Sequence, residues 1–316
     1  MVRSTTRIAK RVDLMTPRST LLPSLAVAAS GLIWGIWWLP LRQLEGAGLV
    51  GNWANLAVYA LAALITAPFA FVLRRRVAAQ FRALIVIGLI SGTSLCLWNY
   101  ALLTGNVVRV TLLFYLAPVW CTALSLVVFR EPVRAMRLLT IVGGLAGAAV
   151  LVGIEKGGAA ALSPADGMAL LSSLSFACLT VYVRKVGGDV GGWEKTFFTT
   201  TVGALTAFIA VTLLPEGPVP ALATVTAAFP ALLLCMVWQV VLLALFMWGT
   251  AYVESGRVSI YLLLEVVGAV ISASLLTNDP FGWREVFGCI LICGAGLLEG
   301  LDEIRRGRRL SIASSA

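Results

Sequence analysis

RVTLLFYLAPVWCTALSLVVFREP, residues Arg109 to Pro132, is long enough to cross a bilayer: it follows a polar turn, carries a proline at mid-depth and leaves through a charged knuckle. Shifted by 148 positions it returns as RVSIYLLLEVVGAVISASLLTNDP, Arg257 to Pro280. Arg109 falls on Arg257, Thr111 on Ser259, Leu116 on Leu264, Glu131 on Asp279 and Pro132 on Pro280. One helix is written twice, and such self-similarity governs every later reading of the fold.

The composition says what surrounds that helix. Over 316 residues the chain is 59% hydrophobic and 12% charged, with a mean hydropathy of +0.94, where soluble domains carry roughly 25% charge. A spanning helix takes about 20 apolar residues, and ten such runs can be marked, near 21–41, 53–73, 83–103, 107–128, 134–153, 164–184, 193–213, 229–252, 258–276 and 282–303. The expectation is an all-α integral membrane protein with no room for a soluble catalytic domain.

The net charge of +9 is explained by its location. With a cytoplasmic amino terminus, 20 of the 24 Lys and Arg fall in cytoplasmic segments, and only Arg42, Arg109, Lys156 and Arg284 lie opposite. That bias puts both termini in the cytoplasm and implies no nucleic-acid partner. The six cysteines all sit inside predicted spans and read as small apolar packers. With no histidine in the chain, no metal and no cofactor is expected. No G-x-x-x-x-G-K-[ST] loop, G-x-S-x-G elbow or pair of membrane carboxylates is present, so direct use of ATP and intramembrane hydrolysis lack their parts.

The opening helices repeat more faintly. At an offset of 142, Ser30-Gly31-Leu32-Ile33-Trp34-Gly35 meets Ser172-Ser173-Leu174-Ser175-Phe176-Ala177. The predicted organisation is a basic tail (1–20), a five-helix repeat (21–156), a second (157–304) and a basic tail (305–316). Five is odd, so the second copy enters the membrane inverted, an architecture that places a substrate site at the midplane between halves.

TLLFYLAPVW followed by FREP, the approach YALLTGNVVRV and its echo TAYVESGRVSIYLLLEVV resemble the drug/metabolite transporter superfamily, EamA family, over nearly the whole chain. SGLIWGIWW and LWNYALL resemble the aromatic amino acid exporters of the YddG type within it. The resemblance implies export of aromatic and other hydrophobic amino acids or related metabolites. One departure stands out: Glu265-Val266 occupies a place where span nine of the family often has proline.

Candidate substrate-binding residues follow from polarity and aromaticity at mid-span. Glu265 costs roughly 2.5–3.5 kcal/mol at the bilayer centre on insertion scales; it is either a protonatable or ammonium-binding site, or a glutamate that glues helices. Tyr261, Glu265, Gly268 and Ser272 share one face of an unbroken helix. Trp34, Trp37 and Trp38 form an i, i+3, i+4 stripe, with Trp34 and Trp38 assigned to the site and Trp37 to the membrane interface beside Trp53, Trp193 and Trp283. Trp98 faces its repeat mate Phe246; Tyr115 shares a face with Thr111 and Pro118; Trp238 adjoins Gln239. Asn99 and Gln239 are amides at depth, read as interhelical glue or as substrate ligands. Arg109 and Arg257 read as snorkelling or as gate residues. Pro118 should kink span four and is the candidate hinge. Gly31/Gly35, Gly143/Gly147 and Gly296/Gly300 offer close-approach faces. An aromatic, mostly apolar lining suits an amphipathic organic solute better than a naked ion. A multidrug or quaternary-cation exporter, with Glu265 as the cation partner, and a lipid-modifying membrane enzyme are the alternatives; a monomer is expected.

Overall fold

In lipid every backbone amide must find its partner inside the chain, and the computed structural model, which describes residues 17–104, 107–130, 133–152, 163–214, 217–276 and 282–315, is helical wherever the sequence is apolar. In order the helices are α1 (Pro17–Trp34), α2 (Trp38–Gly46), α3 (Gly51–Val72), α4 (Arg74–Ala79), α5 (Phe81–Thr104), α6 (Val107–Phe114), α7 (Ala117–Phe129), α8 (Ala135–Val152), α9 (Pro164–Val186), α10 (Gly192–Leu213), α11 (Leu222–Thr250), α12 (Ser255–Leu262), α13 (Leu264–Leu276) and α14 (Trp283–Ser315). Among the described residues, seven segments are long and apolar enough to cross a membrane, with Leu21–Gly46 and Ser255–Leu276 each taken across an internal break; Ala117–Phe129, Ala135–Val150 and Val286–Glu299 are shorter apolar helices. Residues 131–132, 153–162 and 277–281 lie outside the described residues, and with them the Glu131–Pro132 knuckle, its echo Asp279–Pro280, Lys156 and the repeat boundary; so does the side chain of Arg109.

Three predicted single runs differ in the structure. The fourth run breaks at Tyr115–Leu116 and the ninth at Leu263, so that α6 shifted by 148 lands on α12 and both breaks coincide. Pro118 sits just inside the start of α7, so the interruption lies one turn upstream of the expected kink. The reason is the proline's missing N–H, which strands the carbonyl four residues earlier; that carbonyl, Phe114 C=O, accepts instead from Ser173 Oγ of α9 at 2.8 Å. The ninth run breaks with Val266 in the proline's place, so the geometry belongs to the packing as much as to the proline.

The first run breaks too, across Gly35–Trp37, where Ile36 N–H and Trp37 N–H bond three residues back, to Ile33 and Trp34 carbonyls at 3.1 and 2.9 Å. Its repeat mate α9 is continuous and starts with a capping box between Ser163 and Asp166. Helix ends also shift. α11 begins at Leu222, seven residues before its predicted start, with Pro230 inside it, and α14 carries the helix through most of the expected tail to Ser315.

Packing follows the repeat. α8 lies on α14 and α3 on α10; α5 packs on α9 as α11 packs on α1, and α7 on α9 as α13 on α1. The α1–α13 crossing is the tightest, since a Cβ on Gly35 would collide with the Glu265 carbonyl and one on Gly268 with the Leu32 carbonyl. A Cβ on Gly31 would likewise stand only 2.9 Å from the Tyr261 carbonyl oxygen. On α8 the packed glycines are Gly144 and Gly147 rather than the predicted Gly143 and Gly147, and Gly296 faces open space.

Some pairings have no repeat mate, and one of them closes an end of the bundle. α7 packs on α12, whereas the repeat-related α6 and α13 are not among the closely packed pairs.

Candidate transport site

Where α1, α3, α5, α9 and α11 converge, a cavity of about 170 Å³ opens in the bundle. Its lining obeys the repeat. At the 148 offset Ser91 pairs with Gln239, Leu95 with Leu243, Trp98 with Phe246, Asn99 with Met247 and Phe114 with Leu262, and at 142 Trp34 pairs with Phe176 and Trp37 with Leu179; every one of these residues touches the cavity. Equivalent helices therefore meet the space from both halves.

Rings form a continuous wall. Trp34 stands edge-on to Phe246 at 6.3 Å, Phe246 stacks on Phe176 at 6.0 Å, Phe176 leads to Phe114 at 5.8 Å and Phe114 to Trp98 at 4.3 Å. Such ring contacts, offset or tilted, hold a rigid apolar surface.

Of the residues expected at the site, Trp34, Trp98, Asn99, Gln239 and Glu265 line the cavity. Trp38 lies outside it. The three-residue periodicity at Gly35–Trp37 eclipses residues i and i+3, so Trp34 and Trp37 both face the cavity, while Trp38 turns away to donate its Nε1–H to Ser272 Oγ at 2.9 Å. Trp37, expected at an interface, is thus a lining residue; Trp53, Trp193 and Trp283 stay at the periphery, Trp283 being 88% exposed. Tyr115 packs with Ala148 and Leu263, and Tyr261 with Val27 and Leu243, because the break at Leu263 rotates Tyr261 off the face that carries Glu265. Trp238 is adjacent in sequence to Gln239 but lines no part of the cavity.

Asn55, Tyr59, Ser94 and Ser172 were not singled out from the sequence. Phe114 and Phe176 were readable in it, as the mates of Leu262 and Trp34. Asn55 belongs to α3, which offers no repeat-paired aromatic and no charge, so nothing in its pattern marked it.

The polar side chains of the wall are mostly bound to one another. Asn99 Nδ2–H donates to Asn55 Oδ1 at 3.1 Å, Ser172 Oγ–H to Ser94 O at 2.8 Å, and Ser91 Oγ shares a hydrogen bond with Thr199 Oγ1 at 2.6 Å. Glu265, half-buried beside Tyr115, makes no ion pair or hydrogen bond with a described residue.

At one end of the bundle lies a different cluster. Arg137 of α8 pairs with Glu254, which precedes α12, and its Nη2 lies 3.2 Å from Glu299 Oε1 of α14. Arg257 Nε reaches Glu299 Oε1 at 3.1 Å and Glu254 Oε2 at 3.2 Å, and Thr140 Oγ1–H donates to Glu299 Oε2 at 3.1 Å. Arg257 is therefore a buried, paired cation and does not snorkel. Burial pushes the Glu254 carboxyl up, but Arg257 and Arg137 outweigh it and hold it down at about 2.

An apolar helical bundle with a repeat-paired cavity is the build of a multi-pass membrane transporter. The chain belongs to the EamA-like transporter family, which matches it twice, over residues 21–153 and again over 163–298. It is accordingly a drug/metabolite-type transporter whose surroundings are the lipid bilayer and whose cargo is a small molecule. A solved structure titled only "Crystal structure of protein" shares the fold, with a TM-score of 0.68 at 17% identity over 91% of this chain and 98% of that one. No curated protein sequence matches this chain.

Proposed function

We propose that the protein is a secondary exporter of hydrophobic, including aromatic, amino acids or related small metabolites, working by alternating access. Ten spans in two inverted five-helix units, 21–156 and 157–304, with tails 1–20 and 305–316 in the cytoplasm of a bacterial inner membrane, are the arrangement this requires; the working unit is a monomer. The observation that carries it is the cavity between the two repeats, walled by linked aromatic rings and bearing, among the described residues, one carboxylate. In an inverted repeat the pseudo-twofold axis passes through such a site, so rocking one half against the other exposes it to each side in turn. Toward the arginine cluster the lining residues Leu243, Phe246 and Met247 are 2% exposed or less, and Trp37, Leu41 and Asn55 are half-buried. Pro118, at the break between α6 and α7, is the proposed hinge.

A second reading, export of lipophilic or quaternary cations, is favoured by the absence of any lysine or arginine from the described cavity lining. Counterflow separates the two. Proteoliposomes loaded with an unlabelled aromatic amino acid should accumulate the labelled one, and a pH gradient tests coupling. Accumulation of lipophilic cations alone turns the assignment to the second reading. No counterflow with either class overturns both.

A further inference from the structure

Where α8, α12 and α14 meet, cations sit with acids: Arg137 and Arg257 share Glu254 and Glu299, and Arg134 lies 3.8 Å from Asp302. The link between α3 and α5 is built the other way. Arg74, Arg75 and Arg76 follow one another in α4, Arg82 lies in the first turn of α5, and no Asp or Glu occurs between Glu45 and Glu131. All four side chains are exposed, and none makes an ion pair with a described residue. Like charges this close repel one another, so a bound anion would be stabilising here.

The position of the link says which anion. α3 is long and apolar enough to cross the membrane and ends at Val72, so the residues that follow stand at headgroup depth. There Arg74, Arg75 and Arg76, with Val72 and Leu73, line an open hollow of about 340 Å³. The chain entering it is apolar and uncovered: Phe71 is 68% and Val72 79% exposed, and the Arg74 guanidinium lies 5.1 Å from the centre of the Phe71 ring. A soluble anion has no use for those two apolar side chains. An amphiphile meets both kinds of surface at once.

We propose that this hollow binds an anionic phospholipid: the guanidinium groups of Arg74, Arg75 and Arg76 take the phosphate oxygens, and Phe71 and Val72 lie along the acyl chains. Guanidinium is a planar fork of donors that matches phosphate geometry. A zwitterionic lipid is the poorer ligand, because its own ammonium already neutralises its phosphate. The site is separate from the cavity and does not depend on what the cavity carries.

Native mass spectrometry of the purified full chain in detergent, titrated with phosphatidylglycerol or with phosphatidylcholine of the same acyl chains, reads the affinity. Wild type should take up phosphatidylglycerol saturably and at least about tenfold more tightly than phosphatidylcholine. Arg74→Gln/Arg75→Gln/Arg76→Gln should weaken the phosphatidylglycerol complex roughly a hundredfold, about fivefold for each basic side chain removed. Arg305→Gln/Arg306→Gln/Arg308→Gln removes the same charge elsewhere and should change the affinity by less than about twofold. Glycerol 1-phosphate, the headgroup phosphate without acyl chains, should not displace the lipid at about tenfold excess. If the first triple variant does not stay monodisperse, Arg75→Gln alone, expected to weaken binding about fivefold, decides in its place. Absence of saturable binding to wild type, equal affinity for the two lipids, an equal loss in both triple variants, or displacement by glycerol 1-phosphate overturns the proposal.

Discussion

The two ends of the bundle are built from equivalent helices and packed differently. At one end α7 lies on α12, Gly256 fits between Thr122 and Arg137 so closely that a Cβ would stand 3.2 and 3.1 Å from them, and three buried charges (Arg137, Arg257 and Glu299) with the half-buried Glu254 join α8, α12 and α14. At the other end α6 and α13 are not closely packed. In sequence the 148 shift carries Glu254 to Asn106, Glu299 to Leu151 and Arg137 to Glu285, so the second end lacks this acid–base set. The lesson is that the repeats specify two interchangeable ends, and the departures from the repeat decide which one is shut. Glu265, whose mate is Ala117, and Gln239, whose mate is Ser91, show the same rule inside the cavity.

The contrast breaks most completely at the crossing both ends share. Gly35→Leu or Gly268→Leu places side-chain atoms where backbone now stands; overpacking of this kind costs about 1–3 kcal/mol where side chains can yield, and more here. Loss of a monodisperse detergent peak is the expected result. Removing the shut end's common acceptor by Glu299→Gln should come next, because it leaves Arg137 and Arg257 short of a partner, worth about 3–5 kcal/mol. A fall of several degrees in the thermal midpoint, with faster thiol labelling of a Ser255→Cys probe, would register the opening of that end; unchanged labelling would mean the cluster does not hold it closed.

Ser173→Ala is milder. It strands the Phe114 carbonyl released by Pro118, at about 1–3 kcal/mol, and should be rescued by Pro118→Ala, which restores the donor; a double-mutant cycle measures the coupling. Trp38→Phe removes one hydrogen bond to Ser272, about 0.6 kcal/mol by the average for membrane proteins, and should leave ligand affinity intact since the indole faces away from the cavity. The smallest effect is on pH. The Glu254 carboxyl is held at about 2, below its ordinary 4.5, so its stabilising contribution is fully present above about pH 4.5 and fades only as pH falls toward 2. The difference in thermal midpoint between wild type and Glu254→Gln should therefore stay flat from pH 8 to 5.

Much of this was legible beforehand. The echo of Arg109–Pro132 in Arg257–Pro280 gave the repeat, and the same arithmetic foretold the coincident breaks at Tyr115–Leu116 and Leu263 once either was seen. Trp34, Trp98, Asn99, Gln239 and Glu265 stood out as polar or aromatic groups at mid-span. Trp38 and Tyr261 went elsewhere because face assignments assume an unbroken 3.6-residue period, and both neighbour a break that shifts the phase.

What the chain's order of residues determined by itself is whatever depends on local chemistry and spacing: apolar length, the gathering of Lys and Arg between apolar runs, the twofold repetition and the residue types at mid-span. Tertiary structure alone decided which polar groups satisfied one another. Asn99 found Asn55, Ser172 found Ser94 and Arg257 found Glu299, while Gln239 and Glu265 were left facing the cavity. Hydrogen bonding is a short-range match between surfaces brought together from distant parts of the chain, and no linear pattern records it.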